Sequence, residues 1–320
     1  MARSGSPIST PADVSSAGSR SVSQSAAALL TEARERTDEL LVAWAERATQ
    51  LMPGADGAAL AYALQSPGKR VRAALVMAAY RSVGGISPAI AGVATAVETV
   101  HTYSLVHDDL PCMDDDDLRR GRMTTHRAFD VPTATRAGFL LVPVAALVLA
   151  QAARDLVLGP ETLGRMASEL FQGSGPEGMV GGQWLDLEAE GQRLDLEALT
   201  AMHRGKTGAL MRAACALGGL AAEAAPDQVA ALADFGAEIG LAFQVADDVL
   251  DATATSAQLG KTAGRDAALA KSTFVAFLGV EEAKREAAAL AERAVRHLER
   301  AAVPAKALSA LAQYIVTRDS

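Results

Sequence analysis

The sequence predicts an all-α fold, a bundle of ten or more helices, on three observations. Apolar residues recur at three- and four-residue spacing from about residue 26 onward, first in LLTEARERTDELLVAWAERATQLM and again around residues 70–83, 88–107, 195–220, 227–250 and 281–299. That spacing lays them on one face of an α-helix. No convincing run of alternating β-branched residues marks a strand. Gly and Pro punctuate the stripes at PGADG, SPGK, VGGISP, GSGPEG and AAPD, where turns are expected. With 320 residues and 50% hydrophobic content the chain can bury a large core.

In chain order, residues 1–25 are rich in Ser, with Pro, Gly and almost no large apolar group, so nothing there offsets the entropy of ordering. They are expected to form a flexible tail, with one domain over residues 26–320. They lack the apolar core of a secretory leader, and the AAALL that follows runs into charges. The uncharged stretch between Arg136 and Arg154 contains FLLVPVAALVLA, which is marginal in length for a membrane span and holds Pro143. A buried, kinked helix is expected there, with no membrane span. The net charge of −8 argues against a nucleic-acid partner. Two cysteines, Cys112 and Cys215, make neither a disulfide framework nor a metal-ligand spacing and fit a reducing, cytoplasmic setting.

The chemistry concentrates in two acidic clusters. Residues 107–121 read HDDLPCMDDDDLRRG and place Asp108 and Asp109 at the end of an apolar helix. Pro111 then turns the chain, so that Asp114 can come back toward them. Residues 243–251, FQVADDVLD, put Asp247, Asp248 and Asp251 within about a third of a helix circumference. Charge runs are usually solvated, but two such clusters facing each other across a bundle would suit Mg²⁺, which shares its coordination shell with water and substrate phosphates. Cations for phosphate are present as well: Lys69, Arg70 and Arg72 in SPGKRVR, Lys206 with the Thr207 hydroxyl in HRGKTG, Lys261 in LGKTAGRD and Lys271 in AKST.

DDLPCMDDDDLRRG, the later DDVLD, GKRVR, GKTG and GGQWLDLEAEG resemble the motifs of the trans-isoprenyl diphosphate synthases, the polyprenyl synthetase family, and most closely the bacterial farnesyl diphosphate synthase type. The resemblance runs from about Tyr62 to the C-terminus. It implies a single helical domain of isoprenoid synthase type around a central cavity, working as a homodimer. It also implies an enzyme that condenses an allylic diphosphate with isopentenyl diphosphate. Asp108, Asp109, Asp114, Asp247, Asp248 and Asp251 would hold more than one Mg²⁺ ion on the allylic diphosphate. Arg119, Lys206, Thr207, Gln244 and Lys261 would grip that diphosphate, with Lys271 near, while Lys69, Arg72, His101 and Arg120 would grip isopentenyl diphosphate. Asp115, Asp116 and Asp117 have weaker claims and can be simply solvated.

Tyr103, five residues before Asp108, lies about 140° round the helix and about 7.5 Å along it; an aromatic at this place in similar farnesyl synthases forms the cavity floor, so a C15 product is expected. Plain core packing is its other reading, and a geranylgeranyl product is the alternative length. Several residues depart from the family pattern. Pro67-Gly68 replaces Gly-Gly, Ala73 stands where Pro is usual, Phe139 replaces an Asp, Pro132 enters a helical region, and Phe274-Val275 follows Lys271-Ser272-Thr273. None removes a metal ligand or a named phosphate contact. A divergent terpene cyclase, a prenyltransferase with another acceptor and an inactive regulatory subunit are the competing readings.

Overall fold

The computed structural model describes residues 11–189, 191–253 and 272–318, with side chains from residue 25 onward. The all-α expectation holds. The helices are α1 (Pro11–Leu51), α2 (Ala55–Leu64), α3 (Val71–Ser82), α4 (Ile90–Asp108), α5 (Thr125–Ala128), α6 (Val131–Asp155) and α7 (Pro160–Ser174). They continue as α8 (Met179–Glu188), α9 (Leu196–His203), a π turn (Arg204–Gly208), α10 (Ala209–Ala221), α11 (Pro226–Thr253), α12 (Phe274–Leu278), α13 (Val280–Arg300) and α14 (Lys306–Thr317). α1 includes residues 11–25 of the expected tail, since adding residues to an existing helix costs little once it is nucleated. Its first buried side chain among those described is Ala26.

α10 forms the centre and packs against α3, α4, α7 and α11. Its sequence, ALMRAACALGGLA, is small or apolar nearly throughout, and Leu210, Met211, Cys215 and Leu217 are fully buried. A helix apolar on all sides belongs in the interior. Small residues bring the backbones together: a Cβ on Gly240 of α11 would stand 2.5 Å from Gly208 Cα. The two helices that end in acidic clusters flank this centre. Along α4 the hydroxyls of Thr95, Thr99 and Thr102 donate to carbonyls one turn back at 2.7, 2.7 and 2.8 Å, which lets polar residues sit in the core.

α6 departs in part from its expectation. By length and composition α6 and α11 could each cross a membrane, and within the bundle both sink an apolar face. α6 nevertheless leaves Phe139 63% and Leu147 52% exposed, so only one side of it is buried. Pro143 lies inside the helix, and Pro132 falls in the first turn, where its missing N–H costs nothing. Asp130 caps that turn by accepting from Thr133 N at 2.7 Å.

A second departure is a minimal hairpin, β1 (Leu118–Arg119) paired antiparallel with β2 (Arg122–Met123). No strand was marked in the sequence, yet this hairpin carries Arg119 and presents Arg120 at its tip. Its two-residue turn has φ 53° at Arg120 and 75° at Gly121. Positive φ at both positions is what a turn matching strand twist requires; Gly adopts it freely, whereas Arg is strained there.

Gly240→Ala should lower unfolding free energy by about 1–3 kcal/mol through overpacking against backbone that cannot move aside. Urea denaturation of wild type and variant measures it, and equal midpoints would contradict the close packing of α11 on the π turn.

Candidate active site

The first acidic cluster forms as α4 runs out. Beyond Asp108 the chain turns at Pro111 and closes back, with Asp114 N donating to Asp108 O at 2.8 Å and Asp115 N to Leu110 O at 3.2 Å. Asp108 and Asp109 are pushed up to about 6, by burial foremost. Lys206 opposes the shift at Asp108 and Asp114 adds to it, while at Asp109 the opposing charge is Arg119. Arg119 Nε meets Asp109 Oδ1 at 2.6 Å and its Nη2 meets Asp116 Oδ2 at 3.4 Å. Asp117 pairs with Arg127. Asp116 and Asp117 are therefore ion partners that brace the loop rather than merely solvated charges.

α2 clasps the hairpin. Tyr62 Oη donates to Met123 O at 2.7 Å, the Arg122 guanidinium lies 3.4 Å from the Tyr62 ring centroid, and Arg122 Nη1 donates to Tyr62 O at 3.2 Å. Arg120 Nη1 in turn donates to Pro67 O at 2.5 Å, tying the hairpin tip to the basic loop. In that loop the three cations separate in role. Arg70, a candidate phosphate ligand by sequence, is buried and turned inward, its Nε 2.7 Å from Asp38 Oδ1 and its Nη1 3.5 Å from Glu98 Oε2. Arg72 is held below the ordinary guanidinium pKa by burial and then by Arg120, against the pull of Glu98 and Asp247, and its Nε is buried without a hydrogen-bond partner among the described residues. Lys69 is likewise lowered, by burial and then by Arg318, with Asp247 opposing. His101 lies beneath these cations. Burial first, and then Arg72, Arg120, Arg119 and Arg70, hold it well below the usual imidazole range, so it is neutral.

The π turn joins the acidic clusters. Lys206 Nζ meets Asp186 Oδ2 at 2.6 Å. Burial works against its charge, but Asp186, Asp108 and Asp114 hold its pKa up. The next residue faces α11: Thr207 Oγ1 donates to Gln244 Oε1 at 2.9 Å, one turn before Asp247. Gly182 makes this approach possible, since a Cβ there would stand 1.9 Å from Lys206 N.

In the second cluster each carboxylate has a different environment. Asp247 Oδ1 meets Arg318 Nη2 at 2.5 Å, and that guanidinium also lies 3.9 Å from the Phe243 ring centroid. Asp248, buried, accepts from Phe274 N at 2.6 Å. Asp251 Oδ1 is buried and finds no hydrogen-bond partner among the described residues. Among the described residues no three acidic, His or Cys side chains stand close enough to form a ready-made metal cage; Arg119 pairs with Asp109, Arg318 with Asp247, and Phe274 N donates to Asp248. An oxygen-only donor set with one orphaned buried oxygen fits a hard cation whose shell is completed by phosphate and water. Arg318 and Glu98 were not singled out from sequence, where isolated charges carry no spacing signal; Asp186 lies inside the motif GGQWLDLEAEG but was given no role there. Lys261 and Lys271 lie outside the described residues.

Tyr103 is half-buried on α4, with its ring edge-on to His107 at 4.9 Å; His107 is edge-on to Phe139 at 5.3 Å. Its hydroxyl is raised by burial and then by Asp108, which places it within the field of the first cluster.

The neutral state of His101 sets a pH dependence. Below its ordinary pKa of 6.5 the unfolded chain takes up a proton that the folded chain refuses, so stability present above that pH is lost as pH falls. His101→Gln removes this proton linkage. The drop in thermal midpoint from pH 7.5 to pH 5.5 should be smaller in the variant than in wild type; equal drops would contradict a half-buried imidazole held low by desolvation and the nearby arginines.

Residues 57–311 match the family model described as "Polyprenyl synthetase". The farnesyl diphosphate synthase of Escherichia coli K12 is 45% identical over 256 residues, spanning 79% of this chain and 85% of that relative. Among solved structures, an FPP/GFPP synthase from Zymomonas mobilis superposes with a TM-score of 0.77 at 33% identity, covering 91% of this chain and 100% of that one. A Helicobacter pylori geranyltransferase complexed with magnesium and isoprenyl diphosphate does so with a TM-score of 0.74 at 29% identity, covering 97% of this chain and 98% of that one. The matched span contains both acidic clusters, the basic loop and the π turn, and on this evidence the chain belongs to the polyprenyl synthetase family.

Proposed function

We propose that the chain is a Mg²⁺-dependent short-chain trans-prenyltransferase that joins an allylic diphosphate to isopentenyl diphosphate and releases farnesyl diphosphate. One observation carries the reading. The Lys206–Thr207 turn stands between two acidic clusters while a separate group of cations, Lys69, Arg72 and Arg120 around neutral His101, gathers beside them. One region suits a metal-bound diphosphate, the other a second diphosphate.

Breaking the allylic C–O bond leaves a carbocation and a diphosphate anion, so groups that stabilise the leaving charge lower the barrier. Asp108, Asp109, Asp114, Asp247, Asp248 and Asp251 would hold Mg²⁺, more than one ion, and that metal would supply charge neutralisation at the diphosphate oxygens. Lys206 and Arg119 add fixed positive charge, and Thr207 with Gln244 orients the turn. Arg72, Lys69 and Arg120 hold isopentenyl diphosphate so that its double bond meets the cation. A proton is then lost to the departing diphosphate; no protein base is assigned. The apolar walls keep water from the cation. Tyr103, below the first cluster, would close the cavity at C15.

The exposed apolar side chains Phe139 and Leu147 on α6 and Trp184 and Leu185 on α8 support a homodimer. Two free cysteines support a reducing cytoplasmic location.

Incubating pure protein with Mg²⁺, dimethylallyl or geranyl diphosphate and isopentenyl diphosphate should yield a C15 diphosphate by chromatography. Product from the allylic diphosphate alone would instead favour a cyclase, and no product a regulatory subunit. Tyr103→Ala should shift the product toward C20 or longer, with a stability loss of about 2–4 kcal/mol from the cavity. An unchanged C15 product from a folded, active variant would place the floor elsewhere.

A further inference from the structure

Beneath the basic loop lies a buried carboxylate with no part in the chemistry described above. Glu98, on α4 one turn before His101, is 3% exposed. Its Oε1 accepts from Ala73 N at 3.1 Å, and its Oε2 lies 3.5 Å from Arg70 Nη1. Ala73 is the third residue of α3, so this N–H is one that helix geometry leaves without an intrahelical partner. The residue before the helix, Arg70, makes no side-chain cap. Glu98 therefore caps α3 from a neighbouring helix.

The same carboxylate fixes the turn that leads into α3. Arg70 adopts φ 53°, strained for a residue with a Cβ. Its side chain is pinned on three sides: by Glu98, by Asp38 of α1 at 2.7 Å, and by its own donation to Ser66 O at 2.8 Å. This closes the loop that carries Lys69 and aims Arg72. Glu98 also supplies the largest favourable charge felt by Arg72 and by Arg120. Ala73 is where the resembling motif has Pro, and Pro has no N–H to donate. The capping bond depends on this residue of this chain.

We infer that Glu98 is a positioning residue for the isopentenyl diphosphate site, holding the basic loop and its two flanking arginines in place through the Ala73 amide and Arg70 without touching substrate. The inference rests on the prenyltransferase reading. A group that only glued helices together would, when removed, weaken both substrates alike. A group that aims one set of cations weakens one substrate.

Two variants test it. Glu98→Gln keeps an acceptor for Ala73 N and removes the charge; Ala73→Pro keeps the charge and removes the N–H, at a first-turn position where Pro is tolerated. Steady-state kinetics with each substrate varied in turn, thermal midpoints, and calorimetric titration of the intact protein with isopentenyl diphosphate are compared. Glu98→Gln should raise the KM for isopentenyl diphosphate about tenfold, the scale of one hydrogen bond to a charged group, with the allylic KM unchanged. Ala73→Pro should raise the same KM by a smaller factor. Parallel rises in both KM values with a lower thermal midpoint, or no change in either folded variant, would overturn the inference. If Glu98→Gln does not fold, the Ala73→Pro result decides alone. A wild type that binds no isopentenyl diphosphate would instead refute the prenyltransferase reading.

Discussion

Burying like charges is the constraint on which the rest of this structure depends. A carboxylate taken out of water costs several kcal/mol unless donors or a cation meet it, and Asp108 and Asp109 show that cost in pKa values near 6. Each local feature of the fold answers part of it. The turn after Pro111 gathers the carboxylates. The strained Arg120–Gly121 turn and its clasp on Tyr62 position Arg119 against Asp109. The π turn, admitted by Gly182, sends Lys206 toward the first cluster. Protein cations thus offset part of the repulsion within each acidic cluster, Arg119 and Lys206 at the first and Arg318 at the second, and leave the carboxylates incompletely neutralised.

The same bookkeeping applies to the cations. Arg72 and His101 sit in a region where positive charges depress one another, and Arg72 Nε has no hydrogen-bond partner among the described residues. An anion entering there would relieve both repulsion and an unmet donor, which is the physical basis on which the proposed function assigns a diphosphate to this region. On the proposed function, an acidic region beside a basic one would let two diphosphates bind at once, one through metal and one directly.

Much of this was legible in the sequence because it rests on periodic or clustered features. The helical stripes foretold α3, α4, α10, α11 and α13, and the Asp pairs marked the ends of α4 and α11. What escaped was set by tertiary partners. Arg70 reads as a phosphate ligand beside Lys69, but Asp38 and Glu98, 32 and 28 residues distant, turn it inward. The hairpin is too short to show alternation, with two residues per strand. α6 reads as uniformly buried because composition does not say which side meets the bundle. Arg318 is an isolated charge near the end of the sequence, and only the fold brings it to Asp247. Pro132, unexpected in a helical region, proved to be a helix start.

The central claim is that the acidic clusters become a metal site only when a diphosphate supplies the remaining oxygens. Thermal midpoints of the wild-type protein with Mg²⁺ alone, inorganic pyrophosphate alone and both together test it most directly. The account predicts a shift with both that exceeds the sum of the separate shifts. A full shift with Mg²⁺ alone, or none with both, would contradict it.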